Sequence, residues 1–169
     1  MRRIALLALA CSVFAGNAFA ATSPIDGSFQ VTATVATSCT VTSTTGIDFG
    51  SYDPASANIT TDDTATGSIN VRCTKGTLMH VTLDEGDNAA AAGCVTPQRR
   101  MTDGTDLLDY AIYTDSGHTT AWGCGAAEQT RTATASNVAE TLTTYGVIPA
   151  GQNVQAGNYT DTVAYQVTF

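Results

Sequence analysis

Four cysteines carry the clearest chemistry in this sequence. The chain has five cysteines, and the first, Cys11, lies in an apolar stretch that we expect to be removed. Four cysteines in an exported chain are typical of two disulfides, and their spacing alone leaves three pairings open. The lack of a Cys-x-x-Cys motif argues against a zinc–thiolate site. The four are Cys39, Cys73, Cys94 and Cys124.

The other polar groups do not form a recognisable catalytic pattern. The two histidines, His80 and His118, stand outside any Ser/His/Asp or Cys/His motif. The acidic turn "DEGDN" at 84–88 lacks the spaced oxygen ligands and terminal Glu of an EF-hand loop, so we interpret it as a solvated hairpin turn. We therefore predict that the protein is not an enzyme and uses no metal and no cofactor.

Residues 1–20 have the features of an export signal. Arg2 and Arg3 precede an apolar run too short to span a bilayer, and "AFA" provides a small-residue cleavage site after Ala20. Removal of this segment leaves five cationic side chains against fifteen carboxylates, a net charge of about −10. A chain this acidic repels the phosphates of nucleic acid, so we expect no nucleic-acid partner.

The elements that position these groups are predicted to be β-strands. Short runs of alternating apolar and polar side chains recur along the chain, separated by clusters of Gly, Asn, Asp and Ser. Seven or eight such runs predict an all-β protein with an antiparallel, immunoglobulin-like β-sandwich. In the last run, four side chains share the face that we expect in the core: Val163, Tyr165, Val167 and Phe169.

The first alternating run lies ahead of the first remaining cysteine. Its apolar side chains fall on every second residue: Phe29, Val31, Ala33 and Val35. This period is that of a half-buried strand, whose successive side chains point to opposite faces. The alternation fits an ordinary first strand of the chain's own sandwich and a strand that pairs with another chain equally well.

Several segments together resemble the spore coat protein U domain family, which includes major subunits of archaic chaperone–usher pili. They are "FQVTATVATSCTV" from residue 29, "IDFGSYD" from 47, "GSINVRCTKG" from 67 and "LLDYAIYTDSGHTTAWG" from 107. The most specific is the ending, "YGVIPAGQNVQAGNYTDTVAYQVTF", with Gly-x-Tyr-x-Asp before the last alternating run. Their order and spacing carry the resemblance over nearly the whole mature chain.

The resemblance implies an immunoglobulin-like subunit that lacks one strand and therefore has an open groove. In this family a periplasmic chaperone lends a strand to the groove, and at the outer-membrane usher the N-terminal extension of the next subunit replaces it. Phe29, Val31, Ala33 and Val35 match the donor residues of that extension. The implied organisation is a signal peptide at 1–20, a donor-strand extension at 21–37 and a pilin-type domain at 38–169.

The same resemblance implies where the protein works. It would pass through the periplasm and join copies of itself or related subunits in a surface fibre that supports adhesion or biofilm formation. A spore or cell-envelope coat protein of the same fold is one alternative. A monomeric secreted glycan-binding module is another, and it would need exposed aromatic side chains such as Tyr113, Trp122 and Tyr145 to gather on one surface.

We predict the disulfides Cys39–Cys73 and Cys94–Cys124. Cys39 begins one run and Cys73 ends another, both with inward-facing apolar neighbours, and two core-facing strands suit a bridge within the sandwich. The resemblance supports the first bridge more than the second, since some family members have only the pair equivalent to Cys39 and Cys73. The second pair then follows by counting.

Overall fold

The protein is described by a computed structural model that covers residues 23–169. The predicted signal peptide lies outside the described residues. The chain's internal contacts divide it into a short N-terminal unit, which ends at Thr34, and a compact unit, Val35–Phe169. The border between extension and domain that we placed at residues 37 and 38 stays a prediction.

Eight β-strands and one short 3₁₀ helix, Gly125–Ala127, make up the compact unit. The strands are β1 Cys39–Thr45, β2 Asp63–Cys73, β3 Leu78–Leu83, β4 Arg99–Thr102, β5 Leu107–Tyr113, β6 Gln129–Thr132, β7 Glu140–Ile148 and β8 Tyr165–Thr168. Within residues 23–169, no helix has the length and hydrophobicity needed to cross a membrane.

The strands form two antiparallel sheets. One has five strands in the order β1-β2-β7-β5-β4, and the other has three in the order β6-β3-β8. β2 and β7 hold the large sheet together, with nine residues of β2 in register with β7 from Asp63 opposite Ile148 to Val71 opposite Glu140. The prediction of an antiparallel all-β fold is confirmed.

The core lies between the sheets and follows the alternation of the sequence. On β2 the buried side chains are Ile69, Val71 and Cys73, and on β3 they are Met79, Val81 and Leu83. β5 and β7 add their own alternate residues, including Leu108, Ile112 and Leu142. Burial of each large aliphatic side chain contributes on the order of 1.5–3 kcal/mol, which offsets the entropy lost in ordering the strands.

Within the compact unit, one alternating run does not form a strand. Ile47 and Phe49 follow β1 in an alternating run, but their backbone pairs with no other strand in the described chain. Instead they pack on β7 at Gly146, where an added Cβ would lie 2.7 Å from the Phe49 ring. Glycine is needed at that position because the side chains of this segment approach the backbone of the sheet so closely.

Candidate functional site: a groove between two strand edges

An open groove lies between β1 at the edge of the large sheet and β8 at the edge of the small sheet. It consists of two cavities of about 390 and 280 Å³, and Tyr165 lines both of them. Among residues 23–169, β1 pairs only with β2, and β8 pairs only with β3. Each of these two strands therefore presents one edge whose backbone groups have no partner strand, which is an arrangement that invites another chain to pair.

The walls of the groove are mainly apolar. The larger cavity reaches core side chains of both sheets, among them Ile69, Leu83 and Ile112, and its rim carries threonines such as Thr44 and Thr160. The smaller cavity is lined by Cys39, Thr40, Val41, Val71, Tyr165, Val167 and Phe169. Contact between an apolar surface of this shape and water is unfavourable, so a partner that fills the groove gains free energy.

The C-terminal run supplies one wall of the groove. All four side chains that we expected on one face line it: Val163, Tyr165, Val167 and Phe169. Val163 and Val167 are half-buried against the core, whereas Tyr165 is 41% and Phe169 58% exposed. Tyr165 and Phe169 are thus less buried than expected of core residues, because no further strand covers them among the described residues.

A β-bulge shapes the opposite wall. The register of β1 against β2 shifts between Val41 and Ser43, so Thr42 is the extra residue. The Thr42 hydroxyl donates to the Asn70 carbonyl over 3.2 Å, and the Asn70 amide donates to the Ser43 hydroxyl over 3.1 Å. Because of the bulge, Val41 lines the smaller cavity and Thr44 lines the larger one, although they lie three residues apart.

The first disulfide holds β1 in place. Cys39 and Cys73 face each other in the ladder and are bonded, with their Cα atoms 4.0 Å apart. The second disulfide joins Cys94 and Cys124, whose Cα atoms are 5.2 Å apart. These are the two pairings predicted from the sequence. The bridged cysteines are separated by 34 and 30 residues along the sequence, and on the chain-entropy model each bridge of this kind contributes about 3–4 kcal/mol.

A polar cluster anchors the far end of the groove. Asp161, the Asp of the Gly-x-Tyr-x-Asp motif, accepts hydrogen bonds from the Tyr110 hydroxyl at 2.6 Å and the Asn88 amide at 2.9 Å. Burial raises the pKa of the Tyr110 hydroxyl above its ordinary value, and the bond to Asp161 raises it further. The motif therefore ties the chain before β8 to β5 and to the acidic turn.

The acidic turn at 84–88 is less solvated than we expected. Asp84 accepts hydrogen bonds from the backbone N–H groups of Gly86 at 3.0 Å and Ala164 at 2.9 Å. Its carbonyl accepts from the guanidinium of Arg99, which also donates to the Trp122 carbonyl at 2.9 Å. Arg99 is only 2% exposed, and desolvation lowers the pKa of its guanidinium although nearby acidic groups oppose this effect.

The histidines lie apart from the groove. His80, on β3, contacts Glu128 with 2.7 Å between Nδ1 and Oε1, and His118 lies in a turn with a φ of 53° beside Tyr113. Among residues 23–169, no three His, Cys, Asp or Glu side chains gather as metal ligands would.

The aromatic surface that a glycan-binding module would need is not assembled. Trp122 is fully buried, and its indole N–H donates to the Val81 carbonyl at 2.9 Å. Tyr113 and Tyr145 lie opposite each other on β5 and β7, but Trp122 does not join them at the surface.

The N-terminal segment, residues 24–38, carries apolar side chains that face water. Residues 24–38 belong to no strand, and the side chains of Phe29, Val31 and Val35 are 88%, 81% and 81% exposed. Ala33 is also exposed. Apolar side chains that alternate in register and face water are unusual in a finished fold.

The last residues before β1 are held by Thr74. Thr74, which follows β2, donates from its hydroxyl to the Ala36 carbonyl at 3.1 Å and from its backbone N–H to the Ser38 carbonyl at 2.9 Å. Residues 36–38 thus extend the contact between β1 and β2 past the Cys39–Cys73 bridge, through Thr74.

Sequence reasoning missed the burial of Arg99 and the partners of Asp161. The burial of Arg99 had no signal, since an arginine in an acidic chain is normally a surface residue. The groove itself could be inferred only from the resemblance, because an unpaired edge is a property of long-range topology. The Asp161 contact had a local signal, the spacing of the motif, but no indication of its partner.

Comparison with known proteins identifies the family. The sequence model of the Spore Coat Protein U domain family matches residues 25–166. The chain is 34% identical over 145 residues to "Protein U" of Myxococcus xanthus, an alignment that covers 81% of this chain and 80% of that protein.

The fold also has a relative among solved structures. It is similar to a chain in the crystal structure of the CsuC–CsuE chaperone–tip adhesion subunit pre-assembly complex from the archaic chaperone–usher Csu pili of Acinetobacter baumannii. The TM-score is 0.53 and the identity 22%, over 80% of this chain and 40% of the other. This chain thus spans less than half of that structural relative. On the extent of the family match, the chain belongs to the Spore Coat Protein U domain family.

Proposed function

We propose that this protein is a non-enzymatic structural subunit of a surface fibre, joined to its neighbours by donor-strand complementation. The observation that carries the proposal is a pairing of features within one chain. An apolar groove lies between two unpaired strand edges, and an apolar alternating segment is exposed to water. The groove offers unpaired backbone groups and an apolar surface, and the segment offers a backbone and apolar side chains that fit them. A strand added to a sheet edge gains backbone hydrogen bonds and buries alternate side chains.

The donor residues in this proposal are Phe29, Val31, Ala33 and Val35, and the acceptor is the groove of a neighbouring copy or related subunit. To fill the groove of its own chain, the segment would have to reverse direction within residues 36–38. The backbone there is already bonded to Thr74. Exchange between subunits needs no such reversal, and a head-to-tail contact of this kind continues into a fibre.

The family and the structural relative support the partners that we propose. A periplasmic chaperone would protect the groove after export, and an outer-membrane usher would exchange the chaperone strand for the next subunit's segment. The relative was solved as a chaperone–subunit complex, which supports a chaperone partner here. The resulting fibre would stand on the cell surface and serve adhesion or biofilm formation.

A Val31→Asp substitution tests the donor role. It would force an unpaired carboxylate into an apolar groove, which costs several kcal/mol, and we expect fibres to disappear from cells that also make the chaperone and usher. Chaperone-bound subunit should accumulate in the periplasm, measured by co-purification. Thr32→Asp is the matched control: Thr32 alternates with the apolar positions, so its charge points away from the groove and fibres should persist. Fibres on Val31→Asp cells, or a variant that does not fold with its chaperone, would refute the donor role.

A coat protein is the second candidate, because the family takes its name from a spore coat. The same groove and segment would then join subunits into a layer. Electron microscopy of the cell or spore surface distinguishes the two assemblies: thin linear fibres support the first proposal, and a continuous layer supports the second.

A further inference from the structure

The apolar alternation of the N-terminal segment does not begin at Phe29. Two residues before it is Gly27 and two before that is Ile25, so the odd positions from 25 to 35 carry no polar side chain. Ile25 is 95% exposed, the highest value among the large apolar side chains of residues 23–169. Ile25 thus shares both the period and the high exposure of Phe29, Val31 and Val35.

The groove is longer than the four donor residues can fill. On the C-terminal side it is lined by the odd positions Tyr159, Asp161, Val163, Tyr165, Val167 and Phe169, together with Thr160. These positions span eleven residues, of which Tyr165–Thr168 form a strand, and a fully extended partner of the same length measures roughly 33 Å at about 3.3 Å per residue. Residues 29–35 cover only seven of the eleven, whereas residues 25–35 match the full length and the same period of two.

The family match provides an independent observation. It begins at residue 25, ahead of the first strand of the sandwich by fourteen residues. The family pattern therefore includes Ile25 and the segment between it and β1.

We propose that Ile25 is a further groove-facing anchor, so that the segment accepted by a neighbouring subunit is residues 25–35. This inference rests on the donor-strand function proposed above. Gly27 would occupy the one groove-facing position without a side chain, which lets the backbones of donor and acceptor approach each other closely there.

Peptide binding tests this extension of the donor. The acceptor is the full mature chain carrying Val31→Asp, which keeps its groove but cannot fill a neighbour's. Its affinity is measured for a synthetic peptide of residues 23–37 and for the same peptide with Ile25→Ala. We expect the substitution to weaken binding by roughly ten- to thirtyfold, the loss expected when most of a buried isoleucine is removed. The matched control is Asp26→Ala, at an alternate position, which should change affinity less than threefold.

The outcomes separate the two proposals. Binding of the unsubstituted peptide with no loss on Ile25→Ala overturns the role of Ile25 and leaves donor-strand exchange standing. Failure of the unsubstituted peptide to bind overturns both. A second measurement does not depend on the purified acceptor. Full chains carrying Ile25→Asp, made in cells with chaperone and usher, should form markedly fewer fibres than Asp26→Asn chains. Equal numbers of fibres would also overturn the role of Ile25.

Discussion

The two edges of the five-stranded sheet differ in how they are completed. β4, at one edge, is tied to the rest of the molecule: Arg99 donates to the carbonyls of Asp84 and Trp122, and Thr102 exchanges backbone hydrogen bonds with Thr160. β1, at the other edge, is fixed to β2 by a disulfide and a ladder, but its outer edge faces the groove. The same sheet is thus closed by its own chain at one edge and left open at the other.

This contrast shows where the protein retains unsatisfied surface. At the closed edge the chain buries an arginine and pairs its guanidinium with two carbonyl groups, so this edge is completed from within. The open edge coincides with an apolar groove, and the exposed apolar segment has the alternation that fits it. Substitutions at the closed edge should therefore change the stability of the subunit, and substitutions in the segment should change its assembly.

The largest effect at the closed edge is expected from Arg99→Met. The side chain keeps much of its volume, but the buried Trp122 carbonyl and the partly buried Asp84 carbonyl lose their donor, which costs about 2–3 kcal/mol of the free energy of unfolding. Urea denaturation of the purified subunit measures this loss. Arg72→Met is the control, because Arg72 is exposed on β2 and its replacement should change the free energy by less than about 0.5 kcal/mol. Equal stability of the two variants would show that Arg99 does not hold the closed edge.

A smaller effect should appear at alkaline pH through Tyr110. The pKa of this hydroxyl is raised in the folded state by burial and by Asp161, so above about pH 10 the unfolded chain releases a proton that the folded chain retains. Its contribution is fully present below that pH and declines above it, by up to about 1.4 kcal/mol per pH unit. Unfolding free energies between pH 9 and 11.5 measure the slope.

Variants assign that slope to one hydroxyl. Tyr110→Phe should be less stable at neutral pH, because Asp161 loses a donor, and should show a shallower decline above pH 10. Tyr113→Phe leaves the Tyr110–Asp161 bond intact and should keep the full decline. An unchanged decline in Tyr110→Phe would contradict the assignment.

Much of the fold was predictable because local pattern and tertiary structure agree. The alternation in β2 and β3 predicted which residues are buried, and the Cys39–Cys73 bridge follows from two inward-facing runs. The run at Ile47 and Phe49 has the same alternation but lies against Gly146 without pairing, since the period of two specifies side-chain direction and not a partner strand.

The site was less predictable than the fold. Arg99 and Trp122 are both buried through contacts with residues distant in sequence, which no local pattern reports. The exposed segment was identified by its period, but that period fits any apolar groove of matching length. Only the observed topology shows that β1 and β8 each have a neighbouring strand on one side alone among the described residues.

Photo-cross-linking of assembled protein tests the central claim most directly, that the segment of one subunit fills the groove of another. Phe29 is replaced by the photoreactive analogue benzoylphenylalanine in the full chain, and fibres are irradiated and dissolved in denaturant. We expect covalent pairs of subunits on a denaturing gel, with the cross-link mapped by mass spectrometry to groove residues such as Val163, Tyr165 or Val167. Single subunits cross-linked internally between residue 29 and those same positions would contradict that claim.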